Sequence, residues 1–431
     1  MYLTKARDIK RIGFIATRLQ GTDGVSLETR KWDDVLTELG YETYFFSGLS
    51  DWHPDRSRVV PAAYFLQPEI HSLHKEIFRD ASRRRGLTAD VGEIKGGIKA
   101  EMYKFIEDFG IDLIIPENAL AIPMHIPLGL AITELVAETE MPTIAHHHDF
   151  FWERPRFLTG CAEDYLGRSF PPKLHSISHV VINTEARQQL AFRCGLSSFM
   201  IPNVWDFHAE PVKPDAYNAT FRRDFGLSED DVIFLQPTRI VARKGIENAI
   251  ELVARFNRSP EGAGRGKILV SHPELDEGNA YFNRIVDYAA LLEVPLLIRP
   301  DLLAPERGTR PEGGKIYSLW DAYVACDFVT YPSTYEGFGN AFLEAVYYRK
   351  PILVNQYAIY AQDIDPIGFK VVSIDGYITR DTVSQTAELL ADPGMREEWA
   401  EHNFRLGSRF FSYDVLRKRL PYLFMNFGAV S

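Results

Sequence analysis

Short runs of apolar and β-branched residues alternate along this chain with longer stretches in which apolar side chains recur every three or four positions. Runs of the first kind predict buried strands, and stretches of the second kind predict helices. The predicted strands are 12–16, 42–46, 112–116, 143–146, 180–183 and 199–202 in the first half, and 232–235, 267–270, 296–299, 328–331 and 351–354 in the second. Such regular alternation predicts an α/β protein with a doubly wound parallel sheet in each half.

A proline-containing segment, Pro202 to Phe207, separates the two series of strands and is followed by the polar stretch 210–219. We therefore predict a first Rossmann-like domain over residues 1–205 and a second over residues 206–409. The last segment, 410–431, has apolar side chains at helical spacing and is too apolar for a free tail. A ligand cleft is expected between the two halves.

Composition narrows the class of protein. A chain of 431 residues with 45% hydrophobic and 25% charged residues is typical of a soluble protein with two domains. Its net charge of −11 argues against a nucleic-acid partner. Cys161, Cys194 and Cys326 are far apart, so neither a disulfide framework nor a cysteine zinc site is indicated. The charged N-terminus and the lack of a membrane-spanning apolar stretch favour a cytoplasmic protein.

The most informative motif is Ser333-x-x-Glu-Gly-Phe-Gly-x-x-x-x-Glu344, between the predicted strand 328–331 and the predicted helix 341–348. Gly337 and Gly339 allow the backbone to approach a ligand closely. Backbone N–H groups at a helix N-terminus suit a phosphate or sugar hydroxyls, and a carboxylate can accept hydrogen bonds from two neighbouring hydroxyls. Two glutamates at this spacing alone would more often be a first-turn acid and a solvated helix residue.

The complete string resembles the E-x7-E signature of retaining GT-B glycosyltransferases of family 4, glycosyl transferase group 1, which includes glycogen and sucrose-phosphate synthases. The resemblance implies two Rossmann-like β/α/β domains facing each other across a cleft, with the acceptor on the first and the nucleotide sugar on the second. It also implies that the C-terminal helix, 410–431, packs back on the first domain. Glu336 and the amides of Phe338, Gly339 and Asn340 would hold the donor sugar, and Glu344 the ribose hydroxyls.

Two basic residues follow the first strand of the second half. Arg239 and Lys244 lie in a β–α loop, where they can neutralise the charge on a departing diphosphate. Without the family resemblance they would be an ordinary surface pair; with it, they match the diphosphate-binding pair. Arg243 is interpreted as a solvated loop charge. In the first half, Gly24 ends a Gly-Thr-Asp-Gly turn that resembles the family's donor-phosphate loop, although the family usually has two adjacent glycines.

Three consecutive histidines, His146, His147 and His148, end a predicted strand. A metal site is one interpretation, but consecutive residues of a strand point in alternate directions, so at most His146 and His148 share a face. We therefore predict no metal site. The family resemblance instead implies a histidine beside the reaction centre that contacts the donor sugar, with His146 the first choice and His148 the second.

The acceptor site is expected at the carboxyl ends of the strands in the first half. Glu117 and Asn118 end one predicted strand and, with His125, could meet the acceptor. His148, Asp149 and Arg154 follow another predicted strand within a charged and aromatic cluster. A salt-bridged loop without a binding role is the alternative for this cluster.

The sequence thus predicts a retaining glycosyltransferase that moves a hexose from a nucleoside-diphosphate sugar, GDP-mannose or UDP-glucose, to a hydroxyl of a small or glycan acceptor. A front-face mechanism without metal or other cofactor is expected, since Arg239, Lys244 and helix-terminal amides would replace the ion. The His-His-His-Asp-Phe-Phe-Trp-Glu-Arg segment is similar to a branch with small acceptors, among them mannosylglucosyl-phosphoglycerate synthases. A GT-B epimerase or phosphorylase and a non-catalytic sugar-nucleotide sensor are the alternatives, and the oligomeric state is open.

Overall fold

A computed structural model describes residues 9–21, 23–272 and 279–427 of the chain. Parts of three sequence predictions lie outside these residues: the first eight residues of the charged N-terminus, Thr22 of the glycine turn and the end of the C-terminal segment, 428–431. The chain divides into two compact units. The first contains the residues up to Val204 together with those from Tyr413 onward, and the second runs from Trp205 to Ser412. The predicted boundary lies one residue later, between 205 and 206.

The first unit is built on a seven-stranded sheet in the order β3-β2-β1-β4-β5-β6-β7, in which all neighbours are parallel. Its strands are β1 (Arg11–Ala16), β2 (Glu42–Ser47), β3 (Ser57–Val59), β4 (Leu113–Pro116), β5 (Thr143–His147), β6 (Ile177–Val181) and β7 (Ser198–Met200). Its helices are α1 (Gly24–Glu38), α2 (Pro68–Ile77), α3 (Leu87–Phe109), α4 (Ile126–Thr139), α5 (Glu163–Ser169) and α6 (Thr184–Cys194).

Successive residues of the central strands enter different hydrophobic clusters. On β1, Phe14 belongs to one cluster and Ile15 to another, and Phe45 and Phe46 divide in the same way on β2. This alternation follows from the two-residue period of a strand and shows that both faces of the sheet are covered. It also explains the nearly continuous apolar runs from which these strands were predicted.

A separate helix, Tyr413–Met425, belongs to the first unit although it follows the whole of the second. Leu416, Leu420 and Phe424 are fully buried in the cluster that contains Trp32 of α1. At its polar edge, the Arg417 guanidinium donates to the Glu38 carboxylate at 2.9 Å. The amphipathic pattern of the segment thus has a packing explanation, because the helix covers one face of the first sheet.

The second unit has a six-stranded parallel sheet, β10-β9-β8-β14-β15-β16, and a small sheet, β11-β13-β12. The strands are β8 (Val232–Arg239), β9 (Gly266–His272), β10 (Leu296–Ile298), β11 (Leu303–Ala304), β12 (Gly308–Thr309), β13 (Lys315–Ser318), β14 (Phe328–Tyr331), β15 (Ile352–Asn355) and β16 (Val372–Ile374). The helices are α7 (Phe221–Asp224), α8 (Ile246–Arg258), α9 (Asn279–Leu291), α10 (Leu319–Ala325), α11 (Asn340–Tyr347), α12 (Arg380–Ala391) and α13 (Pro393–Phe410).

Two parallel sheets of Rossmann-like character confirm the predicted fold class. The strands that were not predicted, β3, β11 to β13 and β16, have only two to four residues each. Several of their side chains are partly or fully exposed, so they lack an apolar run. β6 begins at Ile177, three residues before the predicted start, because Ser178 and His179 interrupt its apolar pattern. Among the described residues, no helix is both long and apolar enough to cross a membrane.

The C-terminal helix can be tested by removing one of its buried side chains. Leu420→Ala should lower the free energy of unfolding by about 2–5 kcal/mol, since it leaves a cavity in a closed cluster. The measurement is urea unfolding of the full-length protein followed by tryptophan fluorescence. Tyr422→Ala, at a side chain that is 63% exposed on the same helix, is the matched control and should change stability by less than about 0.5 kcal/mol. Equal effects of the two changes would contradict the packing described.

Candidate active site

In the second unit, the predicted donor residues gather at the carboxyl ends of β8 and β14, which are hydrogen-bonded neighbours. Lys244 lies in the loop that leads from β8 to α8, and Glu336 in the loop that leads from β14 to α11. The two loops are joined through the backbone carbonyl of Arg243, which accepts hydrogen bonds from the Thr334 amide at 2.8 Å and its hydroxyl at 3.1 Å. Residues 92 positions apart in the sequence therefore meet at one edge of the sheet.

Glu336 is held by two cations. The Lys244 ammonium donates to Oε1 of Glu336, and the Arg243 guanidinium donates to Oε2 at 2.9 Å and to the Tyr335 carbonyl at 3.2 Å. Both Glu336 and Lys244 are more than nine-tenths buried. The interpretation of Arg243 as a solvated loop charge is therefore wrong, because its guanidinium is only 36% exposed and is paired with the buried carboxylate.

The charge states of this cluster follow from its surroundings. Burial alone would raise the pKa of Glu336, but the positive charges of Lys244 and Arg243 outweigh it and hold that pKa below its usual value. Burial lowers the pKa of Lys244, and the carboxylate opposes this shift only in part. The carboxylate is thus strongly held in its ionised form. A polar ligand that enters here meets a preformed set of charges.

Two glycines make the close approach of these loops possible. Gly245 has a φ of +59°, and a Cβ there would lie 2.5 Å from the Pro332 carbonyl oxygen. Gly339, the residue before α11, has a φ of +137°, and a Cβ there would lie 2.5 Å from the Tyr357 hydroxyl. Any other residue would be strained at either position. At position 245 it would also push the two loops apart, and at position 339 it would displace the Tyr357 hydroxyl.

The helix α11 begins at Asn340, one residue before the predicted start, and carries the second glutamate. Glu344 is 9% exposed, and its Oε2 accepts a hydrogen bond from the Tyr323 hydroxyl at 2.9 Å. The Phe338 ring is buried against Phe411, at 5.4 Å between ring centroids, so only the backbone of Phe338 is available to a ligand. Tyr323 was not predicted, since nothing in its local sequence indicates a partner 21 positions away.

Arg239 ends β8 on an exposed position, paired in register with His272 of β9. Burial, together with the charges of Arg239 and Lys244, lowers the pKa of His272 to about 4, so this ring is neutral at pH 7. The same edge of the sheet therefore carries three basic groups, Arg239, Arg243 and Lys244, against one neutral histidine and the Glu336 carboxylate.

In the first unit, the end of β4 meets the end of β5. Oε2 of Glu117 lies 2.9 Å from Nδ1 of His146 and 3.1 Å from Nε2 of His148. The side chains of Glu117 and His146 are fully buried, whereas that of His148 is 10% exposed. Burial alone would raise the pKa of Glu117, but the two imidazoles hold it below its usual value. His147, on the opposite face of the strand, instead contacts His179, with 2.9 Å between ring nitrogens.

The His146 ring is stacked on Trp32 at 4.2 Å between centroids, and its carbonyl accepts the Asn118 amide at 2.8 Å. Of the two candidate histidines, only His148 has an exposed edge in this structure. Glu117 was predicted as a possible acceptor contact, from its position beside Asn118 at the end of a predicted strand. Its pairing with the two histidines was not predicted.

Asn118 organises the loop after β5. It has a φ of +55°, which asparagine tolerates better than most residues. Its side-chain oxygen accepts the His148 amide at 3.0 Å, and its side-chain amide donates to Asp149 at 2.7 Å. Asp149 is in turn paired with Arg154, whose side chain is 47% exposed. The structure therefore brings all four predicted acceptor residues, Asn118, His148, Asp149 and Arg154, into one connected cluster.

Gly24 begins α1, but the amides next to it are already capped. The Asp23 carboxylate accepts from the backbone amides of Val25 and Ser26, both at 3.2 Å, and is paired with Arg18 at 3.0 Å. A donor phosphate at this helix end would meet that carboxylate. Where the family usually has a second glycine, this chain has Asp23, whose negative charge would repel a phosphate. Of the predicted donor residues, Gly24 therefore has the surroundings that favour an anion least.

Comparison with known proteins places this chain in an enzyme family through two relatives. No protein-family model matches the chain. The mannosylglucosylglycerate synthase of Petrotoga mobilis is 34% identical over 84% of this chain and 86% of its own length. The enzyme of the same name from Thermotoga maritima is 30% identical over 91% of this chain and 95% of its own length.

A solved structure extends the comparison to the fold. Sucrose-phosphate synthase from Thermosynechococcus elongatus has a TM-score of 0.63, with 15% identity and coverage of 96% of this chain and 98% of that one. Such low identity supports the GT-B fold alone, whereas the two synthases support the activity class. The chain is therefore a GT-B glycosyltransferase, and it belongs to the same enzyme family as the mannosylglucosylglycerate synthases.

Proposed function

We propose that this protein is a retaining glycosyltransferase of family 4 that moves a hexose from a nucleoside-diphosphate sugar to a hydroxyl of a small acceptor. One observation carries the proposal: a buried Glu336 held by Lys244 and Arg243, with Glu344 eight positions later on the helix that follows. A carboxylate fixed in this way is suited to accept hydrogen bonds from donor hydroxyls. The cations beside it are suited to the diphosphate.

The transfer step is a front-face substitution. The bond between the anomeric carbon and the diphosphate oxygen breaks, and a bond from the acceptor oxygen forms on the same face. The acceptor proton passes to the departing phosphate oxygen. The leaving nucleoside diphosphate gains negative charge during this step, and fixed positive groups stabilise that charge without reorganisation. We assign this role to Arg239 and Lys244, and we propose that no divalent ion is needed for it.

Ion pairing gives Arg243 a distinct role. When the Lys244 ammonium turns from Glu336 to a phosphate oxygen, the carboxylate loses one of its two positive partners. Arg243 then remains paired with Oε2 and keeps the buried charge compensated. Glu336 can thus stay ionised and in place while it binds the donor hydroxyls. We propose that Arg243 positions Glu336 and does not itself contact the reacting atoms.

The donor and acceptor follow from the chemistry that the relatives' name describes. Mannosylglucosylglycerate contains mannose, glucose and glycerate, so GDP-mannose and UDP-glucose are the donors to examine, and a glycerate glycoside is the acceptor class. The acceptor cluster of the first unit offers the Arg154 guanidinium to an acceptor carboxylate. Because the relatives are named as synthases, the comparisons favour glycosyl transfer over the epimerase, phosphorylase and sensor interpretations.

The proposed activity is tested by incubating the purified protein, stripped of metals by EDTA, with each nucleotide sugar and glucosylglycerate or glycerate. We expect release of one nucleoside diphosphate and a product one hexose heavier by mass spectrometry. Proton NMR should show an α-linkage from an α-linked donor, because the mechanism retains the anomeric configuration. A β-linked product would reject the retaining mechanism, and turnover that requires an added divalent ion would reject metal independence.

Lys244→Ala should lower kcat by about 10²–10³-fold, since an electrostatic group of this kind contributes about 3 kcal/mol to the transition state. Initial rates at saturating donor measure the effect, and circular dichroism verifies that the variant is folded. Lys213→Ala, at an exposed lysine paired with Glu210 in the same unit, is the control and should leave kcat unchanged. A Lys244→Ala enzyme with unaltered kcat would contradict the assignment.

Arg243→Gln should act differently, because it removes a support of Glu336 and leaves Lys244 in place. We expect the KM for the donor to rise by about 10-fold with a smaller change in kcat, as for the loss of one charged hydrogen bond of about 1.5 kcal/mol. Arg243→Lys should recover part of this loss. Arg284→Gln, at a guanidinium that is 70% exposed, is the matched control. A large fall in kcat with KM unchanged would place Arg243 among the groups that act on the transition state.

A further inference from the structure

The cluster formed by Glu117, His146 and His148 in the first unit has the composition of a metal site. One ring nitrogen each of His146 and His148 and one carboxylate oxygen of Glu117 lie within 4.8 Å of one another. Two imidazoles and one carboxylate form a ligand set that transition-metal ions such as Zn²⁺ and Co²⁺ bind in proteins. The sequence argument against a metal considered only the three consecutive histidines. It did not include a carboxylate from the neighbouring strand.

The two separations between the carboxylate oxygen and the imidazole nitrogens are close to those that an ion requires. Ligand atoms roughly 2.0–2.1 Å from a tetrahedral ion lie roughly 3.3 Å from one another. Here Glu117 Oε2 is 2.9 Å from His146 Nδ1 and 3.1 Å from His148 Nε2. Both distances must lengthen by a few tenths of an ångström to admit the ion, and rotation of the His148 ring can adjust the position of its nitrogen, since that side chain is the least enclosed of the three.

An unsatisfied oxygen supplies a second, independent observation. Among the described residues, Oε1 of Glu117 has no hydrogen-bond partner, although the side chain is fully buried. A buried carboxylate oxygen without a partner is costly and calls for an unseen ligand. A cation bound by Glu117 through one or both oxygens would compensate it. The His146 Nε2 atom lacks a partner in the described structure with or without an ion, so it does not oppose this interpretation.

Neighbouring residues restrain the two proposed histidine ligands, and the exposed edge of His148 gives an ion access to the site. The stacking of Trp32 fixes the His146 ring, and the Asn118 side chain fixes the His148 backbone. These contacts restrict the ring of one proposed ligand and the backbone of the other. The exposed edge of His148 is where an ion and a water as fourth ligand would enter. We propose that Glu117, His146 and His148 form a binding site for one divalent transition-metal ion of the Zn²⁺ and Co²⁺ class.

This proposal concerns the first unit and does not depend on the proposed transfer mechanism. A chain that transfers sugar in the presence of EDTA and also binds one cobalt ion would satisfy both. A chain that binds no metal but transfers sugar would overturn only the present proposal. The transferase activity is therefore not used as the readout.

The test begins with the EDTA-stripped, full-length wild-type protein, titrated with Co²⁺ and followed by visible absorption, and separately with Zn²⁺ by calorimetry. We expect one ion per chain and the intense visible bands of a four-coordinate cobalt ion. His148→Ala and Glu117→Gln should each weaken binding by about 100-fold or more. His175→Ala, at a histidine whose side chain is 83% exposed, should bind as the wild type does.

Two results would overturn the proposal. One is the absence of saturable cobalt or zinc binding to the wild-type protein, a result that does not depend on any variant being folded. The other is binding that neither His148→Ala nor Glu117→Gln reduces, which would place the ion elsewhere. Glu117→Gln preserves the shape of the side chain, so it provides a second variant should His148→Ala fail to fold.

Discussion

The candidate donor site depends on the burial of one negative charge, that of Glu336, between Lys244 and Arg243. A carboxylate this far from water is unfavourable unless it is paired, and both of its oxygens are paired here. The two cations come from the loop after β8, and the carboxylate comes from the loop after β14. Ion pairing therefore reinforces the connection that the Thr334 amide and hydroxyl make to the Arg243 carbonyl between the two loops.

This constraint explains the residues around the site. Gly245 lets the first loop pass the Pro332 carbonyl, and Gly339 lets the chain turn into α11 beneath the Tyr357 hydroxyl. Once α11 begins at Asn340, Glu344 comes to lie at its first completed turn, where Tyr323 holds one of its oxygens. The glycines and the tyrosines thus serve the same geometry, because they determine where the two carboxylates can be. Sugar hydroxyls and a ribose would meet acceptors whose positions are already set.

The first unit also contains a buried carboxylate that is paired with side chains from the end of a neighbouring strand. Glu117 is a fully buried carboxylate at the end of β4, and two histidines from the end of β5 compensate its charge. Asn118, the next residue, holds the backbone of the following loop through His148 and its side chain through Asp149. In both units, neighbouring parallel strands end at one edge of a sheet, so the polar groups that follow them lie close enough to pair with one another.

The sequence by itself determined the β–α alternation, most strands of both sheets, the start of α11 and the spacing of Glu336 and Glu344. These features depend on local patterns of apolar residues and glycines, and such patterns are visible in consecutive residues of the sequence. Short strands such as β3 and β16 were missed because two or three pairings leave no periodic signal. Tertiary structure alone decided that Arg243 pairs with Glu336, that Tyr323 holds Glu344 and that Glu117 joins His146 to His148. These partners lie between 21 and 93 positions apart, and only the arrangement of strands and helices within each unit brings them to hydrogen-bonding distance.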